Sequence, residues 1–136
     1  MSVIQPSNCS VFVQIWVDTD ALTNGQTTGV YLVDNNLNHS SSNEGTVNLS
    51  TDVPVGTNIC WSLLNVDPTS STILQIQNFG NAGVFGASGT PQLVNANTWT
   101  GTVQAVGNDS YSINFSAQNS GGSGITTTVT PSLSVH

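Results

Sequence analysis

Apolar and polar residues alternate along the segment 11–17, which reads VFVQIWV. In an extended chain this alternation separates the side chains into two sets, with Val11, Val13, Ile15 and Val17 on one face and Phe12, Gln14 and Trp16 on the other. The first set is entirely aliphatic, whereas the second mixes aromatic and polar groups. The segment therefore predicts a central β-strand that is covered on one side and partly covered on the other.

Further strands are predicted wherever the same two-residue rhythm returns between turn-forming residues. These segments are 30–33, 46–50, 58–65, 72–77, 99–106, 110–117, 125–129 and 133–135. Gly107-Asn108-Asp109 predicts a short hairpin turn between two of them, and residues 78–98 predict the longest irregular stretch. No amphipathic helix is indicated. The spacing predicts an all-β fold, a two-sheet antiparallel sandwich of jelly-roll or Ig-like topology with about eight or nine strands, forming a single domain over 1–136.

The complete absence of Lys and Arg, with a formal net charge of −7, excludes several classes of function. Phosphate recognition normally relies on basic side chains, and nucleic-acid affinity depends on basic groups that displace counterions. Nucleic acids and anionic membrane surfaces are therefore not expected as partners, and lysine-based cofactor chemistry is impossible. We also expect no membrane span and no cleaved signal peptide, so the sequence suggests a cytoplasmic protein or one exported without an evident signal.

The chain has two cysteines, Cys9 and Cys60, and no Cys-x-x-Cys motif. They could form one disulfide that closes a loop of about 50 residues, which would stabilise the fold by roughly 3–4 kcal/mol. They could equally be two buried thiols. The sequence leaves both alternatives open.

The order of short motifs along most of the chain is also informative. The motifs are Asp18-Thr19-Asp20, Val30-Tyr31-Leu32-Val33, Glu44-Gly45-Thr46-Val47-Asn48-Leu49, Val55-Gly56-Thr57-Asn58-Ile59-Cys60-Trp61, Tyr111-Ser112-Ile113-Asn114-Phe115 and Thr130-Pro131-Ser132-Leu133-Ser134-Val135. This pattern resembles the AidA/PixA family of bacterial inclusion-body proteins. The resemblance implies a bacterial β-sandwich that accumulates in the cytoplasm or is exported, with no catalytic residues to carry over.

Enzymatic activity is not expected from the available acid–base groups. Only His39 and His136 could serve as a base for a serine nucleophile, and they lie in a Ser/Asn-rich loop and at the end of the chain. The seven carboxylates stand mostly in predicted turns, where Asp usually bonds to nearby backbone amides. We therefore expect no catalytic residues.

A calcium site is the metal site that the sequence best supports, although no cofactor is required. Asp18 and Asp20 end the first strand, and Asp34 begins the loop after the second strand. Carboxylate oxygens suit Ca²⁺, and the three groups would meet if these strands are neighbours in the right register. The alternative is that all three are solvated turn caps.

A carbohydrate site is a second possibility, because sugar sites often combine an exposed aromatic ring with amide groups. The candidate residues are Trp16, Tyr31, Trp99 and Asn97. Trp99 follows a polar loop and is the best candidate for an exposed ring. The alternative is that the tryptophans are buried structural residues.

Self-association is the third hypothesis and the leading one. A surface rich in Ser, Thr and Asn, with several edge strands and no lysine on them, has little that would prevent strand pairing between copies. The sequence therefore predicts a non-enzymatic β-sandwich that acts by self-assembly as a homo-oligomer or by protein binding. A lectin-like module that binds glycans, with or without calcium, is the alternative.

Overall fold

The protein, described here by a computed structural model, has regular secondary structure that consists mainly of short β-strands joined by loops. The structure describes residues 3–80, 83–95, 97–118 and 124–136. Within these ranges the strands are β1 (Val11–Val17), β2 (Val30–Asp34), β3 (Ser50–Val53), β4 (Asn58–Asn65), β5 (Ile73–Phe79), β6 (Gln92–Asn95), β7 (Thr98–Thr102), β8 (Gly107–Ser110), β9 (Ile113–Gln118), β10 (Gly124–Val129) and β11 (Ser132–Val135). Three single-turn 3₁₀ segments lie at Pro6–Asn8, Leu37–His39 and Gly83–Phe85. No helix in the described ranges is long and apolar enough to cross a membrane.

The first sheet contains five strands in the order β2-β1-β4-β7-β6. Two of its three inner strands, β1 and β4, run parallel, with Val13 opposite Trp61 and Ile15 opposite Leu63. The other neighbouring strands pair antiparallel. The aliphatic face of β1 is buried and its opposite face is partly open, as the alternation predicts.

The second sheet consists of two three-stranded parts, β3-β11-β8 and β10-β9-β5. Val129 pairs with Ile113 in one part and Ser132 pairs with Ser110 in the other, so the register continues unchanged from one part to the other. The Tyr111 amide still donates to the Pro131 carbonyl at the junction, at 3.0 Å. Because proline has no amide hydrogen, it interrupts the regular ladder at this point. The two parts together therefore form one bent sheet that faces the first.

The core lies between the two sheets and is centred on an aromatic cluster. Trp61 is fully buried and its ring packs edge-on against Phe79, Phe85 and Tyr111. Its Nε1 donates to the Tyr111 hydroxyl at 2.9 Å, so the polar atoms of both rings are satisfied inside the core. Burial raises the pKa of Tyr111 well above its usual value. Truncating a buried aromatic residue of this kind typically costs about 3–5 kcal/mol.

The all-β prediction is confirmed, and the structure corrects several of its details. The described residues form eleven strands rather than eight or nine, and β1–β4 and β3–β11 are parallel pairs. The strand predicted at 46–50 lies instead at Ser50–Val53. The stretch predicted to be irregular contains the end of β5 and all of β6.

The predicted hairpin at Gly107-Asn108-Asp109 is wrong. These residues belong to β8 and pair with β11, while the two segments they were expected to join lie in different sheets. The segment does have the composition of a turn, but β11, which is adjacent in space and distant in sequence, supplies the hydrogen bonds that a hairpin turn would otherwise have made. A distant pairing overrides the local preference here.

Candidate functional site

The outer face of the first sheet carries two of the aromatic residues proposed for ligand binding. Trp16 and Tyr31 are directly opposite each other on β1 and β2. Tyr31 is 46% exposed and Trp16 is half-buried, with its Nε1 donating to Gln14 Oε1 at 3.2 Å. Phe12 lies on the same face and is also partly exposed. The structure therefore brings Trp16 and Tyr31 together as a small exposed aromatic patch.

Trp99, which the sequence made the best candidate for an exposed ring, does not join this patch, because it is half-buried and packs against the core. It is opposite Trp61 in the β4–β7 pairing, so its side chain is on the inner face of the sheet. Its ring lies 5.3 Å from that of Phe79, and its Nε1 is buried without a hydrogen-bond partner in the described part of the chain. Asn97 is exposed, but its side-chain amide donates to the Leu63 carbonyl at 3.3 Å. The four proposed residues therefore lie on different faces and do not form one site.

The three aspartates proposed as calcium ligands do not converge. Asp34 is opposite Val13, whereas Asp18 follows Val17 at the other end of the same pair of strands. The two ends of this pairing, at Val13 and Val17, are four residue steps apart along β1, which corresponds to about 13 Å. Asp18 Oδ1 instead accepts from the Asp20 amide at 3.1 Å, the local bond of a turn cap. In the described ranges no group of three His, Cys, Asp or Glu side chains is arranged to hold a metal ion.

Asp34 instead forms a carboxyl pair with Glu44, which sequence reasoning missed. Glu44 Oε1 accepts from the Asp34 amide at 2.8 Å, and Asp34 Oδ2 accepts from the buried Thr51 hydroxyl at 2.7 Å. Burial, together with the hydrogen bond to the Asp34 carboxyl, raises the pKa of Glu44 to about 7. Ten residues separate the two acids along the chain, so only the folding of the loop over β2 reveals the pair.

Both histidines line a cavity of about 630 Å³. His136 Nε2 lies 3.1 Å from Asp52 Oδ1, and the His136 side chain is 67% exposed. Ser10 and Ser40 also contribute to the wall. No hydrogen bond in the described ranges joins a serine hydroxyl to either imidazole, so the residues do not form a nucleophile–base–acid chain.

The two cysteines are free thiols that contact each other. Burial and the neighbouring Cys60 sulfur raise the pKa of Cys9 to about 11, and burial also raises that of Cys60. The segment before β1 holds Cys9 in place, because the Asn58 amide group donates to the Asn8 carbonyl at 3.1 Å. Of the two alternatives left open by the sequence, the structure shows the reduced pair.

The edge of β2 is covered by the loop that follows it. The Gly45 amide donates to the Leu32 carbonyl at 2.7 Å, and Glu44 accepts from the Asp34 amide. These contacts use the backbone groups that an edge strand would otherwise offer to another chain. The β2 edge is therefore closed by the protein itself.

The edge of β3 is covered by the same loop. Ser42 and Ser50 exchange two backbone hydrogen bonds, at 2.9 and 3.0 Å. The Asp52 amide donates to Ser41 Oγ at 3.2 Å, and the buried Asn36 side chain donates to the Asp52 carbonyl. We refer to β2, β3 and the loop 35–49 as the closed side.

The edge of β10 is covered by a different loop. The Gly25 amide donates to the Thr126 carbonyl at 3.0 Å, and the Thr126 amide donates to Asn24 Oδ1 at 3.0 Å. Thr127 Oγ1 donates to the Gln26 carbonyl on the same edge. This edge is also unavailable to another chain.

Two strands at the opposite side of the sandwich, β5 and β6, have uncovered edges. β5 pairs only with β9, β6 pairs only with β7, and no hydrogen bond from another described segment reaches the outer edge of either strand. The rings of Phe79 and Trp99 connect the two sheets near these strands. We refer to β5 and β6 as the open side.

Charge is distributed unequally between the two sides. Asp34, Glu44 and Asp52 all lie on the closed side, whereas β5, β6 and their pairing partners β9 and β7 contain no ionisable side chain. The open side is thus neutral in a protein whose net charge is −7.

Comparison with known proteins relates this chain to a family and to a solved fold. A family model described as a domain of unknown function, DUF8788, matches residues 9–123. The crystal structure of the inclusion body protein PixA from Burkholderia cenocepacia J2315 is similar, with a TM-score of 0.74 and 16% sequence identity over 94% of this chain and 96% of that one. No curated protein sequence matches the chain. The resemblance predicted from the motifs is confirmed at the level of the fold.

Proposed function

The chain belongs to the DUF8788 family, a domain of unknown function, and from this premise we propose that it is a non-enzymatic protein that works by assembling with copies of itself. The observation that carries the proposal is the neutral open side with its two uncovered strand edges. Exposed edges are unusual in soluble β-proteins, which normally protect them with charge, proline or an overlying segment.

Three further features support this proposal. The described side chains form neither a metal cluster nor a nucleophile–base–acid chain, which favours a role for the surface rather than for a reaction. The fold is shared with a protein that is named an inclusion body protein. The negative net charge disfavours nucleic acid and anionic membrane surfaces as partners, which leaves contacts between protein surfaces as the simplest alternative. The proposal extends to a bacterial protein that is located in the cytoplasm or exported from it and that needs no cofactor.

Measurement of molecular mass by light scattering and sedimentation over a wide range of concentrations tests this function. We expect mass to increase with concentration. We also expect the increase to be larger at high salt, because counterions screen the repulsion between copies of charge −7. A monomer whose mass is constant at every concentration and at both salt levels would refute self-assembly.

A glycan-binding function is the second candidate, and the Trp16–Tyr31 patch is the observation that favours it. The exposed Tyr31 ring offers an aromatic surface on which a sugar ring can stack, and Gln14 supplies a neighbouring amide. Glycan-array binding, measured with and without EDTA to test for a calcium requirement, examines this candidate. The absence of binding under both conditions would eliminate it.

A further inference from the structure

The outer edge of β5 is the most suitable surface in the described chain for pairing with another strand. It is seven residues long, contains no proline and no charged residue, and reads ILQIQNF. The other uncovered strand, β6, has only four residues, follows Pro91, and has an irregular register between Leu93 and Asn95. Short and irregular edges pair poorly. Although β5 also has a bulge after Ile76, its first four residues pair with β9 in continuous register.

The exposed side chains near this edge are suited to contact with an identical strand. Gln75 and Gln77 point outward from β5, and Gln77 Nε2 donates to Ser116 Oγ on β9 at 2.8 Å. Asn114 on β9 donates to Asn78 and accepts from Thr128 on β10. These bonds form rows of amide and hydroxyl groups across the sheet, and such rows extend readily into an added strand. Ile73, which is 63% exposed, adds apolar area at the start of the edge.

Electrostatic repulsion between copies also favours contact through the β5 edge. Two copies that each carry −7 repel, and the repulsion is smallest when the faces in contact carry no carboxylate. The second sheet has β3 at one margin, beside Asp34 and Asp52, and β5 and β8 at the other. β5 and its partner β9 carry no ionisable side chain, and Asp109 on β8 accepts a hydrogen bond from the Val84 amide. A contact through β5 therefore keeps the carboxylates of the closed side far from the interface.

We propose that two copies of this chain pair antiparallel through the outer edges of their β5 strands, which makes the second sheets of the two copies continuous. The inference rests on the proposed function and identifies its contact surface. An antiparallel pair of identical strands has two-fold symmetry, so each copy contributes the same residues and the contact closes without further copies. Gln75, at the centre of the regular part of the edge, faces the β5 strand of the partner copy.

A charge-exchange experiment tests this arrangement. Gln75→Lys and Gln75→Glu are prepared separately, and each is expected to weaken self-association about tenfold, because two like charges meet across the symmetric contact. An equimolar mixture of the two variants is expected to associate at least as tightly as the unmodified protein, since Lys from one copy then faces Glu from the other. Both substitutions lie at an exposed position, and far-UV circular dichroism confirms that each variant is folded.

Gln92→Lys and Gln92→Glu on β6 are the matched controls, because they place the same charges at an exposed glutamine on the other open edge. We expect these variants to associate like the unmodified protein, alone or mixed. If the protein associates but the Gln75 variants behave like the Gln92 variants, or if the Gln75 mixture fails to restore association, the β5 contact is wrong while self-assembly stands. If the unmodified protein never associates, the proposed function and the contact both fail.

Discussion

The two sides of the sandwich differ in whether the edges of their outer strands are covered by another segment of the described chain. On the closed side the edges of β2 and β3 are occupied by the loop 35–49, which supplies backbone amides, serine hydroxyls, Asn36 and Glu44 as partners. On the open side, β5 and β6 have no such covering segment in the described chain. Because the protein has no lysine, one common means of protecting a strand edge is absent, and on the closed side its own chain covers the edges instead. The comparison indicates that an edge left without protection in such a protein is available for pairing.

Among the substitutions that test this comparison, replacement of Asn36, whose side chain connects the loop to β3 by hydrogen bonds, is expected to have the largest effect on stability. Asn36 is buried, and its side-chain amide donates to Ser41 Oγ at 3.0 Å and to the Asp52 carbonyl. Asn36→Ala leaves both acceptors without their partner, and we expect the free energy of unfolding to fall by about 2 kcal/mol. Urea unfolding measures this change.

Asn38→Ala is the control for this prediction, since Asn38 lies in the 3₁₀ turn that begins directly after Asn36 but is exposed. It should change stability by less than about 0.5 kcal/mol. Equal destabilisation by the two variants would show that the loop does not depend on the Asn36 contacts, and would contradict our description of the closed side.

A smaller effect is expected from pH, through the Asp34–Glu44 pair. The pKa of Glu44 is raised to about 7 in the folded protein, against 4.5 for an ordinary glutamate. The folded state therefore binds a proton that the unfolded state has released, so the stabilisation is complete below about pH 4.5 and is lost as pH rises through 7. We expect the melting temperature to fall over this interval, which a thermal scan at several pH values will show.

Glu44→Gln is the matched comparison, because it retains an acceptor for the Asp34 amide and removes the titrating group. The two proteins share every other ionisable group, so the difference between the two pH profiles isolates Glu44. Parallel profiles for the two proteins would show that the carboxyl pair does not have a raised pKa.

The smallest effect is expected on the open side itself. Leu93 on β6 is 52% exposed, so Leu93→Ser exchanges a solvent-facing side chain and should change the unfolding free energy by no more than about 0.5 kcal/mol. Urea unfolding of Leu93→Ser, measured in parallel with that of Asn36→Ala, tests whether the two sides differ in their contribution to stability. A loss of unfolding free energy comparable to that of Asn36→Ala would mean that the outer side chains of β6 stabilise the fold as much as the contacts of the closed side do.

The sequence was a good guide to which side chains face the core and a poor guide to the sites. The faces of β1 and β4 follow from alternation alone, because the direction of a strand's side chains is a local property. The position of Trp99 could not be obtained in this way, since its partners Trp61 and Phe79 are remote in the chain. The separation of Asp34 from Asp18 likewise depends on the register of β1 against β2, which no single segment specifies.

The sequence by itself determined an all-β chain with no cationic side chain other than histidine, because composition and two-residue periodicity can be read without knowledge of the tertiary contacts. Only the tertiary structure decided which strand edges are covered, where the carboxylates gather and that Glu44 meets Asp34. The physical reason is that edges, registers and carboxyl pairs form between residues far apart along the chain. Their hydrogen bonds exist only after the two sheets have packed around Trp61.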